Sequence, residues 1–192
     1  MKSLTRNFIY LILFAFLIWC FVYLGKKDFS STITDAERFS KEYTTIEKDN
    51  PFVYVGSNRV LNILNNETGI VLVGFSSNPW MQEYVKQLYP ILKENNIEKV
   101  YYYDVIEDRT KKTKNFRQIE DLLSQYLKIT DMGAEYLFTP ALIFVKDGKI
   151  VNYDDETSLV SFDMRTDTYW NEDAITNFHN KINTYLSEAD YN

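Results

Sequence analysis

Cysteine, histidine and glycine are all scarce in this 192-residue chain. The single cysteine is Cys20, so the rest of the chain has no thiol for a disulfide, a thiolate metal site or thiol-based catalysis. The single histidine is His179, which we interpret as a surface residue of a helix because a zinc site needs further soft ligands. Six glycines leave little material for a phosphate-cradling loop, and no Gly-rich nucleotide-binding motif occurs. We therefore expect no metal and no cofactor.

The first 27 residues differ from the rest of the chain. The uncharged stretch 8–25, "FIYLILFAFLIWCFVYLG", would reach about 27 Å as a helix, close to the thickness of a bilayer's hydrocarbon core. We interpret it as an uncleaved transmembrane signal anchor, after a short cytoplasmic N-terminus of residues 1–7. A cleaved signal peptide is the alternative, but bulky residues continue up to Lys26 without a small-residue cleavage site. Trp19 argues against lipidation of Cys20, because lipoproteins have a small residue there.

Charge indicates the location and the partners. Beyond the leader, 17 Lys and Arg residues face 27 Asp and Glu residues, a net charge of −10, so nucleic acid is excluded as a partner. Basic residues flank both ends of the span, with a small excess on the N-terminal side. This excess favours a single-pass membrane protein with its domain on the extracytoplasmic side. Residues 26–50 are predicted to form a stalk or a leading helix, capped by Thr34 or Asp35.

Residues 51–190 show the alternating pattern of an α/β domain. Strands are predicted at 52–55, 70–75, 100–105, 141–145 and 149–153. Helices are predicted at 57–69, 79–96, 116–129 and 171–189, and 106–115 is predicted to be a charged loop. Asp147-Gly148 is a strong hairpin signal between the last two strands. This order predicts a mixed β-sheet with helices on both faces.

Two local motifs, together with this order, resemble the thioredoxin-like fold. The segment 139–151, "TPALIFVKDGKIV", looks like the thioredoxin segment in which a threonine and a cis-proline precede the hairpin. The second motif, "GFSSNPWMQ" at 74–82, is similar to the redox turn of a branch that includes bacteriocin-transport accessory proteins. That branch has Cys-Pro-Trp-Cys or Cys-Pro-Tyr-Cys at this turn. The resemblance covers about residues 51 to 187 and implies a cis bond before Pro140.

The resemblance also identifies a degenerate redox site. Pro79 and Trp80 match the intervening pair of the motif, whereas Asn78 and Met81 replace the two cysteines. Thiol–disulfide exchange needs an attacking thiolate and a resolving thiol, and an amide and a thioether supply neither. We therefore exclude dithiol oxidoreductase activity.

What remains of the site implies a binding function. In this fold the residue before the cis-proline resembles an exposed strand edge, so Trp80, Thr139 and Pro140 are expected to form a groove that holds an extended peptide by β-augmentation. The alternative is that Trp80 packs against its own domain and Asn78 simply caps the helix that begins at Pro79.

The predicted function is therefore a membrane-anchored, redox-inactive accessory module that binds a peptide or protein. The branch it resembles implies a role in secretion or envelope protein handling. Two other functions stay open. One is a non-redox enzyme or small-molecule-binding protein that uses the groove beside Pro140 and acidic residues between 163 and 173. The other is a purely structural subunit of a membrane complex.

Two charged runs have no assigned role. The acidic run comprises Asp154, Asp155 and Glu156, and a solvated loop is its default interpretation because it lacks calcium-loop spacing. The basic run contains Arg109, Lys111, Lys112 and Lys114 in an otherwise acidic domain. It is interpreted as a docking patch or a solvated loop.

Overall fold

A five-stranded mixed sheet forms the centre of the domain. The computed structural model describes residues 33–130, 133, 135–158, 160, 163–189 and 191. The predicted N-terminus 1–7, the predicted anchor 8–25 and the first part of the stalk lie outside these residues. Within them, no helix combines the length and apolar character that a membrane span requires.

The helices and strands follow the predicted alternation. The strands among the described residues are β1 (Phe52–Tyr54), β2 (Gly69–Gly74), β3 (Val100–Asp104), β4 (Lys128–Ile129), β5 (Glu135–Tyr136), β6 (Ala141–Lys146) and β7 (Lys149–Asp154). The helices among them are α1 (Asp35–Glu42), α2 (Ser57–Asn66), α3 (Pro79–Glu94), α4 (Ile106–Lys111), α5 (Lys114–Leu123), α6 (Thr166–Tyr169) and α7 (Glu172–Ala189).

The order of strands across the main sheet is β1-β3-β2-β6-β7. Strands β1, β3 and β2 are parallel to one another, whereas β6 is antiparallel to β2 and β7 is antiparallel to β6. The hairpin turns at Asp147 and Gly148, both of which have positive φ. The predicted mixed sheet and hairpin are therefore confirmed.

Side chains of the central strand alternate between two apolar cores. Leu72 of β2 packs into a core formed with α1, α3 and α7, together with residues such as Leu88 and Phe178. Its neighbour Val71 points to the opposite face and packs with residues of α2 and α5, such as Ile119. Alternation along a strand sends successive side chains to opposite faces, and all five of these side chains are at most 1% exposed. Helices therefore cover both faces, as predicted.

Two predictions for residues 106–129 are wrong. The predicted loop 106–115 contains helix α4, whose first residue Ile106 donates its N–H to the Asp104 carboxylate. The predicted helix 116–129 ends at Leu123. Beyond it, Tyr126 donates its hydroxyl to the Ile150 carbonyl of β7. Lys128 and Ile129 then form β4, paired with β5.

The described part of the predicted stalk contains a packed helix, α1. Phe39 and Tyr43 are fully buried, and the ring of Phe39 stacks on Phe52 of β1 at a centroid distance of 4.0 Å. The Asp35 carboxylate accepts the N–H of Tyr54, so it satisfies a donor on the edge strand β1. The leading-helix interpretation therefore describes residues 35–42.

Candidate functional site

The turn between β2 and α3 is closed by Asn78. Its side-chain oxygen accepts the N–H of Trp80 at 3.0 Å, and its backbone carbonyl accepts the N–H of Met81 at 3.0 Å. Asparagine is among the preferred residues at this capping position. Pro79 follows in the first turn of α3, where a missing N–H costs no helical hydrogen bond. The capping role of Asn78, which is part of the alternative to a binding groove, is confirmed.

The same side chain joins this turn to a distant loop. The Asn78 amide Nδ2 donates to the backbone carbonyl of Thr139 at 3.0 Å. The Thr139–Pro140 bond is cis, and Pro140 is buried directly before β6. The structure therefore brings together Asn78, Thr139 and Pro140, three of the residues that the sequence indicates for the site.

Met81 lies below the surface of the site. Its side chain is fully buried and fills the space above Gly74, the last residue of β2. A β-carbon built on Gly74 would lie only 2.3 Å from the Met81 sulfur. Met81 is therefore a core residue that depends on a glycine beneath it, and it offers no contact to a ligand.

Trp80 lies at the surface and contacts its own domain along one edge. Its ring is partly exposed and meets Tyr169 of α6 edge-to-face, with centroids 5.6 Å apart. Tyr169 in turn meets Trp170 at 5.2 Å. Trp80 is thus held in place by its own domain and still presents apolar surface.

A second aromatic group directly precedes Thr139 in the chain. The Arg109 guanidinium donates to the Leu137 carbonyl at 2.8 Å and to the Thr139 hydroxyl at 3.4 Å. It lies 5.3 Å from the ring centroid of Tyr136, which meets Phe138 at 4.9 Å. The sequence indicated Arg109 only as part of a basic run and gave Tyr136 and Phe138 no role. Their closeness to Thr139 along the chain is the signal that could have identified them.

Glu120 of α5 carries the carboxylate on which the Arg109 charge acts beside the Thr139 loop. That charge belongs to the guanidinium that binds the Leu137 carbonyl. Burial raises the pKa of Glu120, and the nearby Arg109 charge opposes that effect. Leu137 itself is fully buried. The loop before Pro140 is thus held by Arg109 of α4.

Gln82 also holds the turn between β2 and α3. Its side-chain amide donates to the Ser76 carbonyl at 2.7 Å and to the Glu42 carbonyl, at the end of α1, at 3.0 Å. These two bonds connect the turn that carries Asn78 to the first described helix.

A polar network that includes buried side chains is connected to Trp80 through Tyr169. The Tyr84 hydroxyl donates to Asp154 at 2.8 Å, and Lys181 forms ion pairs with both Asp154 and Glu156. The Tyr169 hydroxyl donates to Glu156, which completes the connection to Trp80. Burial by itself would raise the pKa of Glu156, but hydrogen bonds from Lys181 and Tyr169 outweigh it, and the pKa lies below its ordinary value.

The interpretation of the acidic run as a solvated loop is wrong for two of its members. Asp154 is 3% exposed and Asp155 is 7% exposed. Asp154 is paired with Lys181, and Asp155 with Lys128 at 2.7 Å. Burial is compatible with these charges because each has a cation beside it. The two cations, Lys181 and Lys128, lie far from these carboxylates in the sequence, so no local sequence pattern indicates the pairing.

The described residues contain no group of three or more His, Cys, Asp or Glu side chains arranged to hold a metal ion. His179 lies at the surface of α7, with Nε2 2.8 Å from a Glu94 carboxylate oxygen. The prediction of a surface histidine is thereby confirmed. Among the described residues, the side chains that hydrogen-bond Thr139 are the Asn78 amide and the Arg109 guanidinium. Asp167, one of the acidic residues named for the enzyme alternative, pairs with Arg165 at 2.6 Å. The site thus offers hydrogen-bond donors and aromatic surface.

Compared with models of known protein families and with curated proteins, the chain matches none.

Proposed function

We propose that this chain is a redox-inactive member of the thioredoxin-like superfamily that holds an extended segment of a partner protein. The order β1-β3-β2-β6-β7, with its parallel and antiparallel pairs, supports the placement in this superfamily. So does the position of Asn78-Pro79-Trp80-Met81, which follows β2 and lies beside the Thr139–Pro140 turn. Neither Asn78 nor Met81 can form a disulfide, so any partner is held without a covalent bond.

The observation that carries the binding proposal is that two aromatic groups are each connected to Thr139. Trp80 and Tyr169 form one group, and Tyr136 and Phe138 form the other. Each group is connected to Thr139, the first through Asn78 and the second through Arg109. Aromatic side chains supply much of the energy at protein interfaces because they bury a large apolar area with few rotatable bonds.

The backbone between these groups offers an acceptor to a partner. The Thr139 carbonyl accepts one hydrogen bond from Asn78. A carbonyl oxygen has two lone pairs, so a second donor can approach from the solvent side. A partner in extended conformation would supply a backbone N–H at this position and place alternate side chains against Trp80 and Tyr136.

The cellular setting belongs to the same proposal. Residues 8–25 anchor the protein in the membrane, and the domain faces the extracytoplasmic side, where it assists secretion or envelope protein handling. The uncharged length of the segment supports the anchor. The distribution of basic residues around it supports the orientation.

The experiment is a binding titration with the full chain in nonionic detergent micelles. The probe is a fluorescein-labelled peptide with a valine–phenylalanine core and serine flanks, and fluorescence anisotropy reports binding. Trp80→Ala is expected to weaken binding about tenfold or more because it removes an aromatic anchor. Val151→Ala is the matched control, since Val151 is an exposed apolar residue of the edge strand β7. The proposal fails if the wild-type chain does not bind the probe, or if the Trp80→Ala chain binds it equally well.

A further inference from the structure

A basic surface adjoins the proposed binding site. Residues 109–117, "RTKKTKNFR", contain five basic residues and no acidic one. The rest of the chain beyond the leader has 12 basic residues against 27 acidic ones. Positive charge is therefore concentrated in one short segment of a domain that is acidic elsewhere. We call residues 109–117 the basic segment.

The basic segment is connected directly to the Thr139 loop. Its first residue is Arg109, which binds Leu137 and Thr139 and lies beside the ring of Tyr136. Helix α4 ends at Lys111, and Lys112 adopts the left-handed conformation, with φ of 48°, that reverses the chain into α5. The segment thus begins beside the ring of Tyr136 and continues into the start of α5.

Most of the positive charge in the basic segment faces solvent. Lys112, Lys114 and Arg117 are exposed. Among the residues that the structure describes, Lys111 has an ion-pair partner in Glu107, whereas Lys112, Lys114 and Arg117 have no carboxylate within ion-pair distance. Lys112 also acts over a longer distance on the Glu120 carboxylate. Exposed cations without close counter-ions attract a ligand of opposite charge.

From this arrangement we infer that the partner segment is acidic: it carries carboxylate side chains next to the apolar residue that lies against Tyr136. The inference rests on the proposed function and adds the chemistry of the partner. The apolar residue contacts the aromatic surface, and the adjoining carboxylates extend along the basic segment. The net negative charge of the rest of the domain disfavours binding of such a segment elsewhere, so the basic segment favours one position for the partner.

The test uses three labelled peptides that share the valine–phenylalanine core and differ only in their flanks, which are glutamate, serine or lysine. They are titrated against the full chain in nonionic detergent. The glutamate-flanked peptide is expected to bind roughly three- to tenfold more tightly than the serine-flanked peptide, and the lysine-flanked peptide more weakly than either. Added salt is expected to reduce the difference, because it screens exposed charges.

Paired variants locate the effect. In the double variant Lys114→Gln/Arg117→Gln, the preference for glutamate flanks is expected to be lost, with unchanged binding of the serine-flanked peptide. The matched control is Lys48→Gln/Lys149→Gln, which removes two exposed lysines outside the basic segment and is expected to keep the preference.

The outcomes separate the inference from the proposed function. If the glutamate-flanked and serine-flanked peptides bind equally, the inference is overturned and the proposed function stands. If no peptide binds, the proposed function is overturned as well. A preference lost equally in the control variant would mean that total charge is responsible, which overturns the inference. The inference is also overturned if the full chain binds phosphatidylglycerol vesicles through the basic segment and does not discriminate among the peptides.

Discussion

The side-chain amide of Asn78 joins two segments that are 61 residues apart by donating to the carbonyl of Thr139 at 3.0 Å. The oxygen of the same amide caps α3. One side chain therefore fixes the start of a helix and the loop before Pro140 relative to each other. A residue in one of the positions where the resemblance implies a reactive thiol thus has a structural role.

Asn78→Ala is expected to remove both hydrogen bonds. Loss of a helix cap and of a partly buried hydrogen bond together should lower the free energy of unfolding by about 1–3 kcal/mol. Asn78→Ser is the matched variant, because serine can still cap α3 but cannot reach Thr139 in the same way, so its loss should be smaller. Thermal unfolding of the full chain in detergent, followed by near-ultraviolet circular dichroism, measures both. Equal stability of the alanine variant and the wild type would contradict the double role.

Gly74→Ala tests the packing of Met81. The added methyl group would overlap the sulfur, so we expect a loss of about 1–3 kcal/mol from overpacking. Met81→Ala alone should lose about 2–5 kcal/mol through a cavity. In the double variant the new methyl group occupies part of that cavity, so the combined loss should be smaller than the sum of the two. Additive losses in the thermal unfolding measurements would show that the two residues do not share this space.

Restoring both thiols tests the alignment of the turn. In a Cys20→Ser background, Asn78→Cys/Met81→Cys should create a pair that forms a disulfide on mild oxidation. The reduced dithiol form of the same chain should reduce insulin, with dithiothreitol as the electron source that regenerates it. The chain that has only Asn78→Cys should do neither. Mass spectrometry after alkylation counts the free thiols. If the paired cysteines stay reduced under oxidising conditions, the proposed correspondence with the redox turn is wrong.

The Glu156 network predicts a specific dependence on pH. The pKa of Glu156 is lowered in the folded chain, so its charged form stabilises the fold. This contribution is complete above the ordinary pKa of glutamate and is lost as the pH falls through the lowered value. The midpoint of thermal unfolding should therefore decrease more between about pH 6 and pH 3 in the wild type than in Glu156→Gln. Parallel curves for the two chains would exclude this contribution.

Glu120 supplies a control of opposite sign. Its pKa is raised by burial, so it contributes stability below the ordinary pKa of glutamate, and this contribution is lost as the pH rises through the raised value. Glu120→Gln should therefore make the decrease in stability on acidification steeper than in the wild type. The same change in both variants would point to a general effect of charge removal.

The sequence was most informative where a pattern is local. The continuous apolar run of β2 and the Asp147-Gly148 turn were predicted closely, because burial on both faces and positive φ each restrict the residue types that fit. Asn78 as a cap was predictable for the same reason, since the residues that form this bond are neighbours.

The sequence was less informative where distant segments decide the structure. Just beyond the end of α5, Tyr126 contacts β7, and the buried Asp154 is paired with Lys181. The contact of Arg109 with the Thr139 loop joins residues 30 positions apart. Each of these features depends on a partner that the pattern of a short window does not contain.

The two hydrogen bonds of Gln82 have a mechanical consequence. A partner that pulls on Trp80 also pulls on the first turns of α3, and Gln82 lies there, bonded to the end of α1. Tension at the proposed binding surface would therefore be shared with α1, the first described helix after the proposed anchor in the sequence.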